Sequence, residues 1–186
     1  MGNVTRFRRS GLGYVSFAVA LLAGGTLLHQ YGYLPARLGG AERAPRTALA
    51  NVSAIDGDSL RAGRDQFRLV GIDAPEMRQT CRDENNHAWA CGREAHAHLR
   101  ALVARGAVAC ASHSRDRYGR ALAHCSAGDV ADIGEEMVRT GFAVNFMSGN
   151  YHAAEAEARR EKRGIWRGGF ERPADYRARH ARTAAR

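Results

Sequence analysis

Phe67-Arg68-Leu69-Val70-Gly71-Ile72-Asp73-Ala74-Pro75-Glu76 decides how this chain is read. In an extended segment successive side chains alternate between faces. Phe67, Leu69 and Gly71 then share one face, and Arg68, Val70 and Ile72 share the other. Pro75 lacks the amide that a ladder needs, so the strand stops there. An arginine, an aspartate and a glutamate are thus gathered around one strand end, with Asp73 five and Glu76 eight residues after Arg68.

Working outward, Arg64 to Ile72 is expected as the third strand of a run. Ala48 to Ile55 is the first, ended by Asp56-Gly57-Asp58, a strong turn signal. Ser59 to Ala62 is the second. Ala90 to Arg105 reads as a helix, with Ala95, Leu99, Leu102 and Val103 on one face. Ala107 to Ser114 and Arg120 to Cys125 form a hairpin whose tip is Asp116-Arg117-Tyr118-Gly119. Ile133 to Thr140 is a helix stopped by Gly141, and Ala153 to Arg163 is another, followed by Gly164. Five short strands with an inserted helix, about three helices in all, predict an α+β domain. Its expected core is a closed five-stranded barrel of the oligonucleotide-binding (OB) type.

The chain has 186 residues, enough for one domain with attached segments. It is 45% hydrophobic and 25% charged, which excludes a wholly disordered chain and a polytopic membrane protein. The net charge of +9 suggests nucleic-acid binding until it is located. Residues 1–47 carry six Arg against one Glu, and residues 171–186 carry five Arg against two acids. The stretch between them is nearly neutral, so net charge says little about its ligand.

Arg6, Arg8 and Arg9 precede an uncharged apolar run from about Gly11 to Leu28. Residues 1–28 are therefore read as an uncleaved signal-anchor with a cytoplasmic N-terminus. A cleaved signal, which would leave the protein secreted, and a buried helix are the competing readings. Residues 29–47, punctuated by Gly32, Pro35, Gly39, Gly40 and Pro45, form a linker. Residues 48–170 are the folded domain, and 171–186 a basic, solvated and mobile tail.

Four cysteines allow three pairings. Cys110 and Cys125 are equidistant from the hairpin tip, so they sit opposite one another within disulfide reach. Cys81 and Cys91 then pair by elimination. Two disulfides fit an oxidising compartment outside the cytoplasmic membrane. The competing reading is a zinc site from Cys81, His87, Cys91 and His96, although the spacing lacks a CxxC knuckle.

Taken singly, Asp56-Gly57-Asp58 reads as a turn, Asp73-Ala74-Pro75-Glu76 as a strand end, and Asp116 to Arg120 as a polar hairpin tip. Jointly, in order, spacing and identity, they resemble the staphylococcal-nuclease-like (thermonuclease) family over about residues 48–170. Glu161-Lys162-Arg163-Gly164-Ile165-Trp166 is similar to that family's C-terminal helix end. The resemblance implies a nuclease that hydrolyses DNA or RNA to 3′-phosphate ends. It implies Ca²⁺ held by Asp58, Asp73 and the Ala74 carbonyl, Arg68, Glu76 and Arg120 as catalytic residues, and Arg117 and Tyr118 on a terminal phosphate.

The residue types suit that chemistry. The transition state of phosphodiester hydrolysis gathers negative charge on non-bridging oxygens, which always-ionised arginines meet with paired donors. Carboxylates and a carbonyl are ligands for a hard divalent ion, and a further carboxylate can orient or deprotonate water.

The chain departs from the family pattern in several places. Ala74 stands where the family's best-known member has Thr, and Arg117 stands for the Lys of a Lys-Tyr pair, which keeps the charge. Met147 and Gly149 stand where two Tyr pack on the nucleotide, leaving Phe146 or Tyr151 to supply a stacking face. Arg78 to Trp89 is an insert. The partners expected are a nucleic-acid substrate and the membrane, through the anchor, with the domain monomeric on the extracytoplasmic (periplasmic) side. Two other readings compete: a non-catalytic OB-type nucleic-acid-binding module, and an envelope interaction protein that kept the fold.

Overall fold

The computed structural model describes residues 45–147 and 149–184. The expected anchor and most of the expected linker lie outside the described residues. Among those described, no helix is long and apolar enough to cross a membrane.

The first expected strand is two strands, β1 (Thr47–Leu49) and β2 (Val52–Ala54). Asn51 between them adopts a positive φ of 52°, which breaks the extended run. β2 pairs with β3 (Ser59–Ala62) around the Asp56-Gly57-Asp58 turn, where the Asp58 amide donates to Asp56 Oδ1 at 3.0 Å. β3 pairs with β4 (Asp65–Leu69).

Here the deciding stretch departs from expectation. It is not one strand but β4 followed by β5 (Ile72–Asp73), which leaves the main sheet to pair with β10 (Val144–Asn145). Gly71 makes the break. Its φ is +78°, and a Cβ there would come within 2.7 Å of the Gly149 Cα, so only glycine fits.

The insert contributes a short ladder, β6 (Cys81–Arg82) with β7 (Ala88–Trp89). Next comes α1 (Cys91–Val103), which buries Ala95, Leu99 and Leu102 as its period requires. β8 (Val108–Arg115) and β9 (Ala121–Ala127) form the expected hairpin, with Cys110 directly opposite Cys125. β9 also runs parallel to β4, aligning Arg68 with Leu122.

The resulting sheet is six-stranded, in the order β1-β8-β9-β4-β3-β2. This corrects the closed five-stranded barrel. The edge strands β1 and β2 are successive pieces of one segment, and no ladder joins them.

α2 (Ile133–Arg139) is capped by Asp132, whose side chain accepts from the Glu135 amide, and Gly141 with a φ of +75° follows its end. α3 (His152–Arg160) precedes a 3₁₀ turn at Gly164–Arg167. The main core joins Leu60, Leu69, Leu99, Ile133, Met137 and Val138. A satellite cluster sets Cys81, Cys91, Val144 and Ile165 under Trp89, Trp166 and Phe170.

Residues 173–184, expected as part of a mobile tail, are a helix, α4 (Pro173–Ala184). Pro173 at the first helical position and Asp175 in the first turn are ordinary start signals. The described residues thus hold four α-helices rather than about three.

Both disulfides, Cys81–Cys91 and Cys110–Cys125, are formed. The thiolates that the zinc reading needs are therefore absent. Cys110–Cys125 spans 15 residues, and closing a loop of that length is worth roughly 3 kcal/mol. Urea unfolding of the oxidised wild type and of a Cys110→Ala/Cys125→Ala double variant, which keeps Cys81–Cys91, should differ by about that much, and coincident curves would show that the hairpin needs no staple.

Candidate active site

Three segments converge at one end of the sheet. The turn before β3 supplies Asp58, β4 supplies Arg68, and β5 with the loop after it supplies Asp73, Ala74 and Glu76. The break at Gly71 is what turns Asp73 back toward Arg68. Asp58 and Asp73 are 2% and 1% exposed, which is rare for carboxylates unless they are paired.

They are paired through one guanidinium. Arg68 Nη1 bonds Asp58 Oδ1, and Arg68 Nη2 donates to Asp73 Oδ1 at 3.1 Å. The Ala74 amide donates to Asp58 Oδ2 at 3.0 Å, which puts the Ala74 backbone at the same place. Burial pushes the Asp58 carboxyl up to about 7, although the nearby Arg68 charge and the Ala74 amide pull it down. The oxygens of Asp58 and Asp73 are the ligand type that a hard divalent cation takes, although among the described residues no group of three or more His, Cys, Asp or Glu is placed to hold a metal ion.

The Glu76 loop is fixed from below. The Glu76 amide donates to Gln79 Oε1 at 3.2 Å, and the Gln79 amide donates to the Glu76 carbonyl at 2.7 Å. Gly92, at the start of α1, lies so close that a Cβ would fall 1.7 Å from the Glu76 carbonyl oxygen. The Glu76 carboxylate itself remains 37% exposed, so solvent and ligands reach it.

Arg117, Tyr118 and Arg120 are brought together at the β8–β9 tip. Asp116 organises it, accepting from the Tyr118 and Arg120 amides through Oδ1 and from Arg120 Nε through Oδ2 at 2.7 Å. The Arg117 and Arg120 guanidiniums lie 4.8 and 5.5 Å from the centre of the exposed Tyr118 ring. An open depression of about 220 Å³ beside the tip is lined by Arg64, Gln66, Arg115, Tyr118 and Arg120 among others. The tip adjoins β4 because Phe67 faces Ala121 across the ladder. Among the described contacts, none joins Arg120 to Asp58, Asp73 or Glu76. Its described ion-pair partner is Asp116.

One expectation changes. Tyr151 is buried, with its hydroxyl at 3.2 Å from both His124 Nδ1 and Asp132 Oδ2, so it is a core residue and offers no stacking face. Met147 is 85% exposed instead, beside a half-buried Phe146.

The residue that sequence reasoning missed is Arg177. From α4 its Nη1 reaches Asp73 Oδ1 at 2.8 Å and Glu76 Oε1 at 2.9 Å, while Nη2 reaches Asp73 Oδ2 at 3.1 Å. Burial works against its charge, yet the bonds to Asp73 and Glu76 prevail and raise its pKa. Nothing in the sequence ties position 177 to position 73. The readable part was only the helix start at Pro173.

Residues 66–168 match the sequence model of the family described as staphylococcal nuclease homologue. The succinoglycan biosynthesis protein ExoI of Rhizobium meliloti (strain 1021) is 34% identical over 128 residues, covering 67% of this chain and 67% of that protein. An uncharacterized endonuclease of Escherichia coli is 33% identical over 123 residues, covering 62% of this chain and 74% of its own. Endonuclease YhcR of Bacillus subtilis (strain 168) is 27% identical over 146 residues, 67% of this chain but 12% of that protein.

Proposed function

Since the chain belongs to the staphylococcal nuclease homologue family, we propose that it is a calcium-dependent nuclease cleaving DNA or RNA to 3′-phosphate products. The observation that carries the reading is the fork of Arg68 across two buried carboxylates, with the Glu76 carboxylate open to solvent beside them. A binding module gains nothing from such a group. Unneutralised carboxylates repel a phosphate, and burying them costs several kcal/mol per charge. The endonuclease names of the Escherichia coli and Bacillus subtilis relatives point the same way.

Asp58, Asp73 and the Ala74 carbonyl would hold the cation, which supplies charge neutralisation and polarises a phosphoryl oxygen. With both carboxylates neutralised, Arg68 can turn its donors to the non-bridging oxygens, where charge builds in the transition state. Glu76 holds the attacking water and takes its proton. Arg120, released from Asp116, gives a second guanidinium to the same oxygens. Arg117 and Tyr118 take a flanking phosphate, and Tyr118 and Met147 offer exposed surfaces to bases.

A setting outside the cytoplasmic membrane, with the domain tethered by the basic-flanked apolar run of residues 11–28, is part of this proposal. The two disulfides support the oxidising compartment.

Product termini test the chemistry. Cleavage of a 5′-labelled single-stranded oligonucleotide should give fragments whose mobility shifts on phosphatase treatment, as a 3′-phosphate requires. Fragments ending in 3′-hydroxyl would refute this assignment of nucleophile and leaving group.

A further inference from the structure

The proposal rests on the nuclease reading above and concerns α4, which that reading does not use. The helix is pinned at its start. The Gln79 side chain, 1% exposed, donates from Nε2 to the Glu171 carbonyl at 2.7 Å, and the Arg82 amide donates to the Gly169 carbonyl at 2.7 Å. Gln79 is the same residue that holds the Glu76 loop, and Arg82 lies in the insert closed by Cys81–Cys91. One turn into the helix, Arg177 closes over the site.

The contacts of Arg177 decide its role. Its fork takes both oxygens of Asp73 and one of Glu76. Asp73 Oδ1 also accepts from Arg68. A divalent ion on Asp73 would have to share these oxygens with a guanidinium already bonded to them, and the two carry like charge. Ion and fork therefore exclude one another. The fork also takes Glu76 Oε1, one of the two oxygens available to the attacking water.

We propose that α4 is an autoinhibitory strap in which Arg177 occupies the Asp73 oxygens that the cation would take and is anchored on Glu76 beside them, so that divalent-ion binding requires the strap to open. A protein whose binding-competent state is only a fraction of the population binds its ligand more weakly by that fraction. If the strap is closed nine-tenths of the time, removing the latch tightens calcium binding about tenfold.

The test is calorimetric titration of the full chain with Ca²⁺, comparing wild type with Arg177→Ala. Amide exchange of residues 173–184 in the wild type is followed with and without the ion. The variant should bind about tenfold or more tightly, and wild-type α4 should exchange faster when calcium is present. Equal or weaker binding by Arg177→Ala, or α4 protection that calcium leaves unchanged, overturns the strap while leaving the nuclease reading intact. No calcium binding by either protein overturns the metal reading and the strap with it. The wild-type exchange measurement decides the matter even where the variant folds poorly.

Discussion

Replacing Arg68 by Lys should lower nucleic-acid cleavage about a thousandfold while leaving a folded protein. Arg68 serves two carboxylates at once through separate Nη atoms. Lysine keeps the charge but not the planar fork, so it cannot bridge Asp58 and Asp73 or present paired donors to a phosphate. Losing one preorganised donor to a transition-state oxyanion costs about 10² to 10³ in rate, and losing a transition-state arginine about 10³ to 10⁵. Arg68→Ala should be worse in two ways. It removes the remaining charge, and it leaves the buried Asp58 without its guanidinium while Asp73 keeps Arg177, a loss that costs roughly 3–5 kcal/mol of stability. Comparing melting curves with rates for both variants separates these effects. Cleavage by Arg68→Lys within tenfold of wild type would show that the guanidinium is only structural.

Glu76→Gln should cut the rate by about a hundred- to ten-thousandfold, the usual range for a lost proton acceptor. Its effect on substrate binding should be small. The amide keeps an oxygen for Arg177 and the same volume, and the backbone bonds to Gln79 do not involve the side chain. The fold should therefore survive and only the chemical step suffer. Single-turnover rates at saturating substrate report that step. A variant with normal turnover but weakened binding would make Glu76 an electrostatic neighbour of the substrate rather than a participant.

The turns that place the candidate site residues were legible because each carries its own local signal. Asp56-Gly57-Asp58 announces a hairpin, Pro75 ends an extended run, and Asp116 nucleates the β8–β9 tip through its own side chain. The pairing of Cys110 with Cys125 followed from counting outward from that tip. Other features depended on distant partners. The split of the deciding stretch into β4 and β5 needs Gly149 packed against Gly71, some 80 residues away, and local alternation cannot report it. The break at Asn51 divides the first expected strand between β8 and β3, and asparagine is a weak signal for positive φ. Tyr151 was ambiguous because an aromatic near a binding surface can face in or out. Its hydrogen bonds to His124 and Asp132 decide for the core. Arg177 sits 104 residues from Asp73, in a segment whose composition suggested a solvated tail.

The initial rate of single-stranded DNA cleavage by the purified, oxidised chain should be measured with Ca²⁺ and again after excess chelator. Cleavage should start with the ion, stop with the chelator and resume when calcium is restored. Tight DNA binding without cleavage at any calcium concentration would contradict the nuclease reading, and the domain would then be a binding module built on the same fold.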